Sequence, residues 1–464
     1  MDKVYSSPAH AIADIPDGAT IAIAGFGVAH RFATSLILAL RDKGTKGLTV
    51  VCNSLGDPGA TRGQILAENK QVKKLVAAFS IRAGTPTASE AQIAAGEMEV
   101  ELVPQGILVE RCRAGGAGIP AFYSPTSVGT ALTEGREIRE FDGKPHVLEC
   151  AIHVDYAFLR GYRADRLGNV QLRGGSQNFN PSFAKAARVA IVEVDEIVEP
   201  GVIPPELVNL PGIFVSRIVK TTETADAKAW RRPERRPSDK PRLYNGKPAL
   251  TRAGIARHAA GLVKDGTYVN LGTGIPTMVS NYLEGRDVIL HAENGVLGYG
   301  HMVSADDEID PDIYNAAGQF VALKPGASFF DSVTSFEMAR GGRIDTVILG
   351  AYEVDQSGSL ANWSTSDARR GGIGGAMDLL SGDAELIIVM EHCDSRGRPK
   401  LRRECTYPLT GKGCVDYVVT DLALLRRDKD RFVLDEVAPG FTPREVLELT
   451  EMEITAGPDV KTME

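Results

Sequence analysis

Residues 288–302 read VILHAENGVLGYGHM. Two ionisable side chains, His291 and Glu293, follow an apolar run and stand just before Asn294-Gly295. Three kinds of chemistry fit such a stretch: metal ligation, a turn, or a carboxylate presented for reaction. H-x-E opens the zinc deaminase signature, in which the histidine is a ligand and the glutamate moves protons, but that signature needs P-C-x-x-C downstream. The cysteines downstream, Cys393, Cys405 and Cys414, are too far apart for it. No metal is therefore expected, and His291 is expected to pack or hydrogen-bond within a strand. Asn-Gly is a hairpin signal, although VLGYGHM spaces its glycines for a loop rather than for an alternating return strand. A carboxylate at the end of a buried strand is also where α/β sheets place ligand-binding groups, and perturbed carboxylates cluster at such places. A simple turn and a reactive Glu293 both stay open at this level.

Phosphate-binding patterns fail on inspection. Gly25-Phe26-Gly27 and Gly272-Thr273-Gly274 each lack the third glycine of a dinucleotide fingerprint, and LTGKGC (409–414) lacks the spacing of a phosphate loop. No G-x-S-x-G elbow supports serine hydrolase chemistry. Two glycine-rich stretches remain, GGAGIPAFYSPTSVGT (115–130) and GGIGGAMDL (371–379). They are either close-packed turns or bare backbone amides for a developing oxyanion.

The elements that must hold these groups divide into two sets. Residues 222–242, TETADAKAWRRPERRPSDKPR, are polar, carry three prolines and show no hydrophobic period, which is linker composition. They separate 1–221 from 243–464, and each half alternates short apolar runs (TIAIAGFG, LTVVCN, VAIVEV; TYVNLGTG, DVILHAE, ELIIVME) with longer amphipathic stretches. Apolar runs that end in glycine predict buried parallel strands, hence an α/β class with two related domains. The relation is visible directly. DYAFLRGYRADRLGNV (155–170) lies over DTVILGAYEVDQSGSL (345–360), DGATIAIAGFG (17–27) over DGTYVNLGTG (265–274), and RAGGAG (113–118) over RRGGIGG (369–375). Corresponding loops would then face each other across one cleft.

Composition bounds the partners. A length of 464 residues exceeds one ordinary core, and 43% hydrophobic with 24% charged residues is globular composition. A net charge of −8 argues against nucleic acid and anionic membrane. No apolar run approaches a membrane span, and MDKVYSSPAHAIADIPDG lacks a signal peptide's apolar stretch. Six scattered cysteines predict buried free thiols in a reducing cytoplasm.

The order GFG, PQGILVERCRAGGAGIPAFYSPTSVGT, GNVQ, NLGTGIP, ENGVLGYG, YPLTGKGCVD and GGIGGAMDLLSG resembles the class I CoA-transferases, of the 3-oxoacid type with its two different subunits fused into one chain. The resemblance runs from about residue 10 to about 450. It implies transfer of CoA from an acyl-CoA such as succinyl-CoA to a carboxylate such as a 3-oxoacid, through a thioester on Glu293. It also implies an oxyanion hole from the Gln105 side chain and the amides of Gly374 and Gly375, with Asn53 and Asn270 near the substrate. No cofactor beyond the CoA thioester substrate is implied, and the expected assembly is a homodimer or homotetramer in the cytoplasm. An acyl-CoA hydrolase on the same scaffold is the alternative.

Several positions depart from the family pattern. His30-Arg31-Phe32 replaces Gly-x-Pro, Ser54 an asparagine, Ala292 a serine and Gln319 a lysine. Arg31 is expected at the surface. Turned inward, it would pair with a second carboxylate on the substrate.

Overall fold

The computed structural model describes residues 2–26, 31–56, 62–81, 86–223, 240–303, 309–365 and 370–463. Among these, the first half builds an eight-stranded sheet. From edge to edge its strands are Arg217–Lys220, Ala187–Val198, Val154–Asp165, Thr20–Ile23, Leu48–Cys52, Val72–Ala77 and Glu99–Leu102, with Val170–Gln171 paired outside this row. All neighbours in the row are parallel. Parallel strands need both faces covered, which is why TIAI and LTVVC are almost wholly buried. The helix Thr34–Lys43 packs Leu36, Ile37 and Leu40 into the core of one face, while the helices Gln105–Gly116 and Asn180–Ala186 cover the other.

The second half builds a ten-stranded sheet whose parallel centre is Val288–Ala292, Thr267–Leu271, Thr346–Leu349, Glu385–Met390 and Tyr417–Thr420. Antiparallel strands extend both sides, Val296–Met302 and Val321–Phe329 on one, Ala423–Asp428 and Arg431–Val437 on the other.

The expected two-domain α/β repeat is present down to register. Ile21, Ala22 and Ile23 pair with Tyr156, Ala157 and Phe158. Val269, Asn270 and Leu271 pair with Thr346, Val347 and Ile348. Arg163↔Gln171 and Ala164↔Val170 have their counterparts in Glu353↔Ala361 and Val354↔Leu360. Asp165 caps the intervening turn through the amides of Leu167 and Asn169, as Asp355 does through Ser357 and Ser359. Within these paired segments the repeats differ: Val154–Asp165 is a single strand, whereas its counterpart is split into Thr346–Leu349 and Glu353–Asp355.

One of the three sequence parallels fails. RAGGAG is mostly the end of the Gln105–Gly116 helix, whereas the described part of RRGGIGG is a non-helical connection before Ala376–Leu379. A Cβ on Gly115 would stand 2.2 Å from the Ile152 carbonyl oxygen, so glycine here permits close packing and has no part in an oxyanion site. Nor are all cysteines buried: Cys150 is exposed, and Cys405 and Cys414 are half-buried.

The halves interlock. Phe79 bridges Gly372, Ser80 N–H donates to the Gly371 carbonyl (3.0 Å) and Ile373 N–H to the Ala78 carbonyl (2.9 Å). The 371–374 segment thus continues the hydrogen-bonding of the first sheet beyond Val72–Ala77. Tyr314, Val333 and Phe336 of the second half lie in the core cluster of the first.

Candidate active site

Glu293 occupies the tip of a β-hairpin. Val288–Ala292 and Val296–Met302 are antiparallel with Ala292 opposite Val296, leaving Glu293-Asn294-Gly295 as the turn. The turn and the presented carboxylate are therefore one feature. The expectation that VLGYGHM forms a loop is corrected: Gly298, at φ 83, falls where the register shifts, and its Cβ would stand 3.0 Å from the Ala327 Cα. The glycines allow a bulged return strand. Gly295 has φ 108, and a Cβ on it would meet the Phe330 carbonyl oxygen at 2.0 Å, so only glycine closes this turn.

The turn is braced from three sides. Asn294 Nδ2 donates to the Tyr314 carbonyl (2.8 Å), and Tyr314 Oη donates to the Gly175 carbonyl of the first half (3.0 Å). Phe330 N–H donates to the Gly295 carbonyl (3.1 Å). Asn270, at the end of the neighbouring parallel strand, donates to Glu293 Oε2 (3.4 Å). Burial raises the Glu293 pKa above the ordinary carboxylate value, while a backbone hydrogen bond and Asn270 pull against that rise. His291 is hydrogen-bonded at both ring nitrogens: its Nδ1 faces Asn270 Nδ2 and its Nε2 faces Ser335 Oγ, both at 3.0 Å, and burial lowers its pKa to about 4. It is a neutral strand histidine, as expected.

A second cluster joins Gln105, Asn53 and Gly374-Gly375. Gln105 begins its helix, and its N–H donates to the Gly374 carbonyl (2.9 Å). The Gly106 amide, an unpaired donor of the first helical turn, is capped by Asp378 Oδ2 (2.8 Å) of the other half. Burial raises the Asp378 pKa to about 6 against the opposing pull of Arg340. Arg340 also pairs with Glu110 (3.0 Å), so the helix is held to the second half by charge as well. Gln105 Nε2 donates to Asn53 Oδ1 (2.8 Å). A Cβ on Gly375 would come within 3.1 Å of Gln105 Oε1 and 2.8 Å of Phe336 Cε1. The Gly374 N–H donates to the Ala78 carbonyl (3.4 Å).

The helix Ser332–Arg340 links the clusters, since Ser335 touches His291 and Phe336 lies against Gly375. The structure therefore brings Glu293 to Asn270 directly, and Gln105 to Asn53 and Gly374-Gly375 directly. Asn53 Nδ2, Ser54 Oγ, Gln105 Oε1, Asn270 Oδ1 and Asn294 Oδ1 are buried and have no hydrogen-bond partner among the described residues. Buried polar groups are nearly always paired, so five such atoms in these clusters set them apart from an ordinary core.

Arg31 is corrected on both counts. It is neither at the surface nor free for a substrate, because its guanidinium pairs with Asp195 and, across the halves, with Asp312. His30 lies outside the described residues. Gln319 is engaged locally, accepting from Asn315 Nδ2 (3.1 Å).

The sequence profile of the coenzyme A transferase family matches residues 5–221 and 253–449. The chain belongs to this family. Human succinyl-CoA:3-ketoacid coenzyme A transferase 2, mitochondrial, is 41% identical over all of this chain and 92% of its own length. Two bacterial relatives are shorter, each being one of the two different subunits of a succinyl-CoA:3-ketoacid coenzyme A transferase. The Xanthomonas campestris polypeptide is 47% identical over 47% of this chain and 88% of itself. The Helicobacter pylori polypeptide, the complementary member of such a pair, is 44% identical over 44% of this chain and 97% of itself. This coenzyme A transferase thus joins in one polypeptide what those bacteria carry as two. An Escherichia coli acyl-CoA transferase solved as a thioester complex with CoA shares the fold, with TM-score 0.81 at 22% identity over 100% of this chain and 95% of its own.

The cytoplasmic placement expected from the sequence does not stand, because the full-length relatives from human and rat are mitochondrial. Charge, apolar content and cysteine spacing do not choose between compartments. Among the described residues, no helix is long and apolar enough to cross a membrane.

Sequence reasoning missed Ser335, the Tyr314–Gly175 brace and the Asp378–Arg340 anchor. Each acts through an approach between segments far apart in the chain, for which local spacing carries no signal.

Proposed function

We propose that this chain transfers CoA from succinyl-CoA to a 3-ketoacid through a thioester on Glu293. The observation that carries the proposal is the Glu293 carboxylate, fixed at a braced hairpin tip, half-buried, and held among the described residues by the Asn270 side-chain amide. Desolvation raises the energy of the anion, and with it the reactivity of a group that is otherwise a weak nucleophile towards thioesters. A Glu293 oxygen adds to the acyl carbonyl carbon, the C–S bond breaks, and CoA leaves as thiolate, giving an acyl-glutamyl anhydride. The thiolate adds to the glutamyl carbon, the anhydride C–O bond breaks, and the first carboxylate departs, leaving enzyme-CoA. The acceptor carboxylate reverses both steps.

Each addition makes an oxyanion that needs preset donors, each typically worth about 3 kcal/mol. Gln105 Nε2 already serves Asn53, so Asn53 Nδ2 and the Gly375 amide carry more of this role than the Gln105 side chain does. The names of the relatives support succinyl-CoA and a 3-ketoacid as the pair; Arg31, committed to two carboxylates, adds nothing to that choice.

The test is incubation with succinyl-CoA and no acceptor, followed by peptide mass analysis. The mass of CoA is expected on the peptide containing Glu293 in wild type and absent in Glu293→Gln, with turnover lower by several orders of magnitude. Free CoA released without acceptor as fast as with it would overturn transfer.

A further inference from the structure

We propose that His291 is a positioning residue for Glu293: it fixes the Asn270 amide so that the nitrogen end faces the carboxylate. The proposal rests on Glu293 being the nucleophile. Asn270 Nδ2 lies 3.0 Å from His291 Nδ1, 3.3 Å from the His291 carbonyl oxygen and 3.4 Å from Glu293 Oε2. A backbone carbonyl can only accept, so the amide nitrogen and not its oxygen belongs at that end. A donor facing Nδ1 requires a lone pair there. The imidazole proton then sits on Nε2 and is donated to Ser335 Oγ at 3.0 Å.

Water does not compete, since His291, Asn270 and Ser335 are all fully buried. The Phe330 ring lies nearly parallel to the imidazole, with centroids 6.2 Å apart and planes 8° from each other. With the proton on Nδ1, Asn270 would have to turn its oxygen towards the histidine. That oxygen would then confront the carboxylate lone pairs, and Glu293 would lose its side-chain donor. The tautomer of a ring two hydrogen bonds away from the chemistry thus sets which oxygen of Glu293 is held. Oε2 keeps a donor, as carboxylate oxygen and later as glutamyl carbonyl oxygen, and Oε1 is left to form and break the acyl bond.

The test combines one spectroscopic and one kinetic readout on the full chain. The eight histidines are labelled with ¹⁵N, and the His291 signals are identified by their loss in His291→Asn. Wild type is expected to show a neutral ring protonated on Nε2; a proton on Nδ1 would overturn the proposal. His291→Leu is expected to lower kcat on the order of tenfold to a hundredfold, as misorientation near a reacting group does, with KM for succinyl-CoA little changed and adduct formation at Glu293 slowed by the same factor. His291→Asn places an amide oxygen near the position of Nδ1 and should restore most of kcat. A His291→Leu enzyme as fast as wild type, or a His291→Asn enzyme as slow as His291→Leu, counts against it. Should His291→Leu fail to fold, the tautomer and His291→Asn decide. A wild type that takes no CoA at Glu293 would sink the proposed function, and the tautomer would still judge whether His291 orients Asn270.

Discussion

Asn53 Nδ2 is buried and has no hydrogen-bond partner among the described residues, while its oxygen is already engaged by Gln105. An amide held in that way cannot reorient towards solvent, so it meets developing negative charge without reorganising. Asn53→Leu should therefore lower kcat on the order of a hundredfold. Its melting temperature should stay close to wild type, because the change removes one buried orphan donor and creates another at Gln105; a large thermal loss would mark Asn53 as structural. His392 shows the opposite use of a polar side chain. It is fully buried with both ring nitrogens on threonine hydroxyls, Thr420 and Thr450, each at 2.9 Å. Burial lowers its pKa to about 3. The unfolded chain binds this proton more readily, so the contribution of neutral His392 is complete above about pH 6.5 and fades as pH falls towards the folded value, by at most about 1.4 kcal/mol per pH unit. His392→Asn should accordingly be less stable than wild type near pH 7, with the gap narrowing from pH 6.5 towards 4. A gap that widens in acid would refute the assignment.

At the scale of elements, three unrelated segments fix the Glu293-Asn294-Gly295 turn. Gly295→Ala would set a Cβ 2.0 Å from a backbone oxygen at a φ that side chains avoid. We expect a loss of roughly 2–4 kcal/mol and activity at background, checked by denaturant unfolding beside turnover. Wild-type stability in this variant would mean that the turn relaxes freely. Much of this is legible in the sequence. The apolar run before Glu293 and Asn-Gly after it announce strand and turn, and the paired segments 155–170 and 345–360 announce the repeat. Two stretches mislead. VLGYGHM reads as a loop because glycine weakens the strand pattern, whereas here it makes the bulge. RAGGAG matches RRGGIGG in letters but not in structure, because glycine serves helix packing and backbone turns alike. Arg31 cannot be placed by spacing, since its partners Asp195 and Asp312 lie far along the chain.

At the scale of the molecule, a group of ionic contacts joins the two halves. Arg31 and Arg173 of the first half converge on Asp312 of the second, and Ser176 Oγ adds a hydrogen bond to it (2.7 Å). A nearly buried carboxylate with three donors is a strong anchor only while all remain in place. Asp312 and Tyr314 lie two positions apart in the chain, so the same anchor steadies the brace under Asn294. We further propose 222–242 as the junction between domains 1–221 and 243–464. Co-expression of residues 1–223 with residues 240–464 should then yield a stable, active pair. Two fragments that fold but never associate would count against a self-sufficient interface.

The segment 371–374, bonded to Ala78 and Ser80, has a consequence for partner choice. Each half supplies backbone hydrogen-bond partners to the other, so a half separated from its mate loses them. Relatives made as two polypeptides must find that mate by diffusion, at the concentration the cell provides. Covalent joining replaces this with an effective concentration on the order of millimolar. An interface of only micromolar strength would then be occupied about a thousandfold in excess of its open form. In a fused chain the contacts between halves are released from securing association, and their geometry is free to answer to the substrate alone.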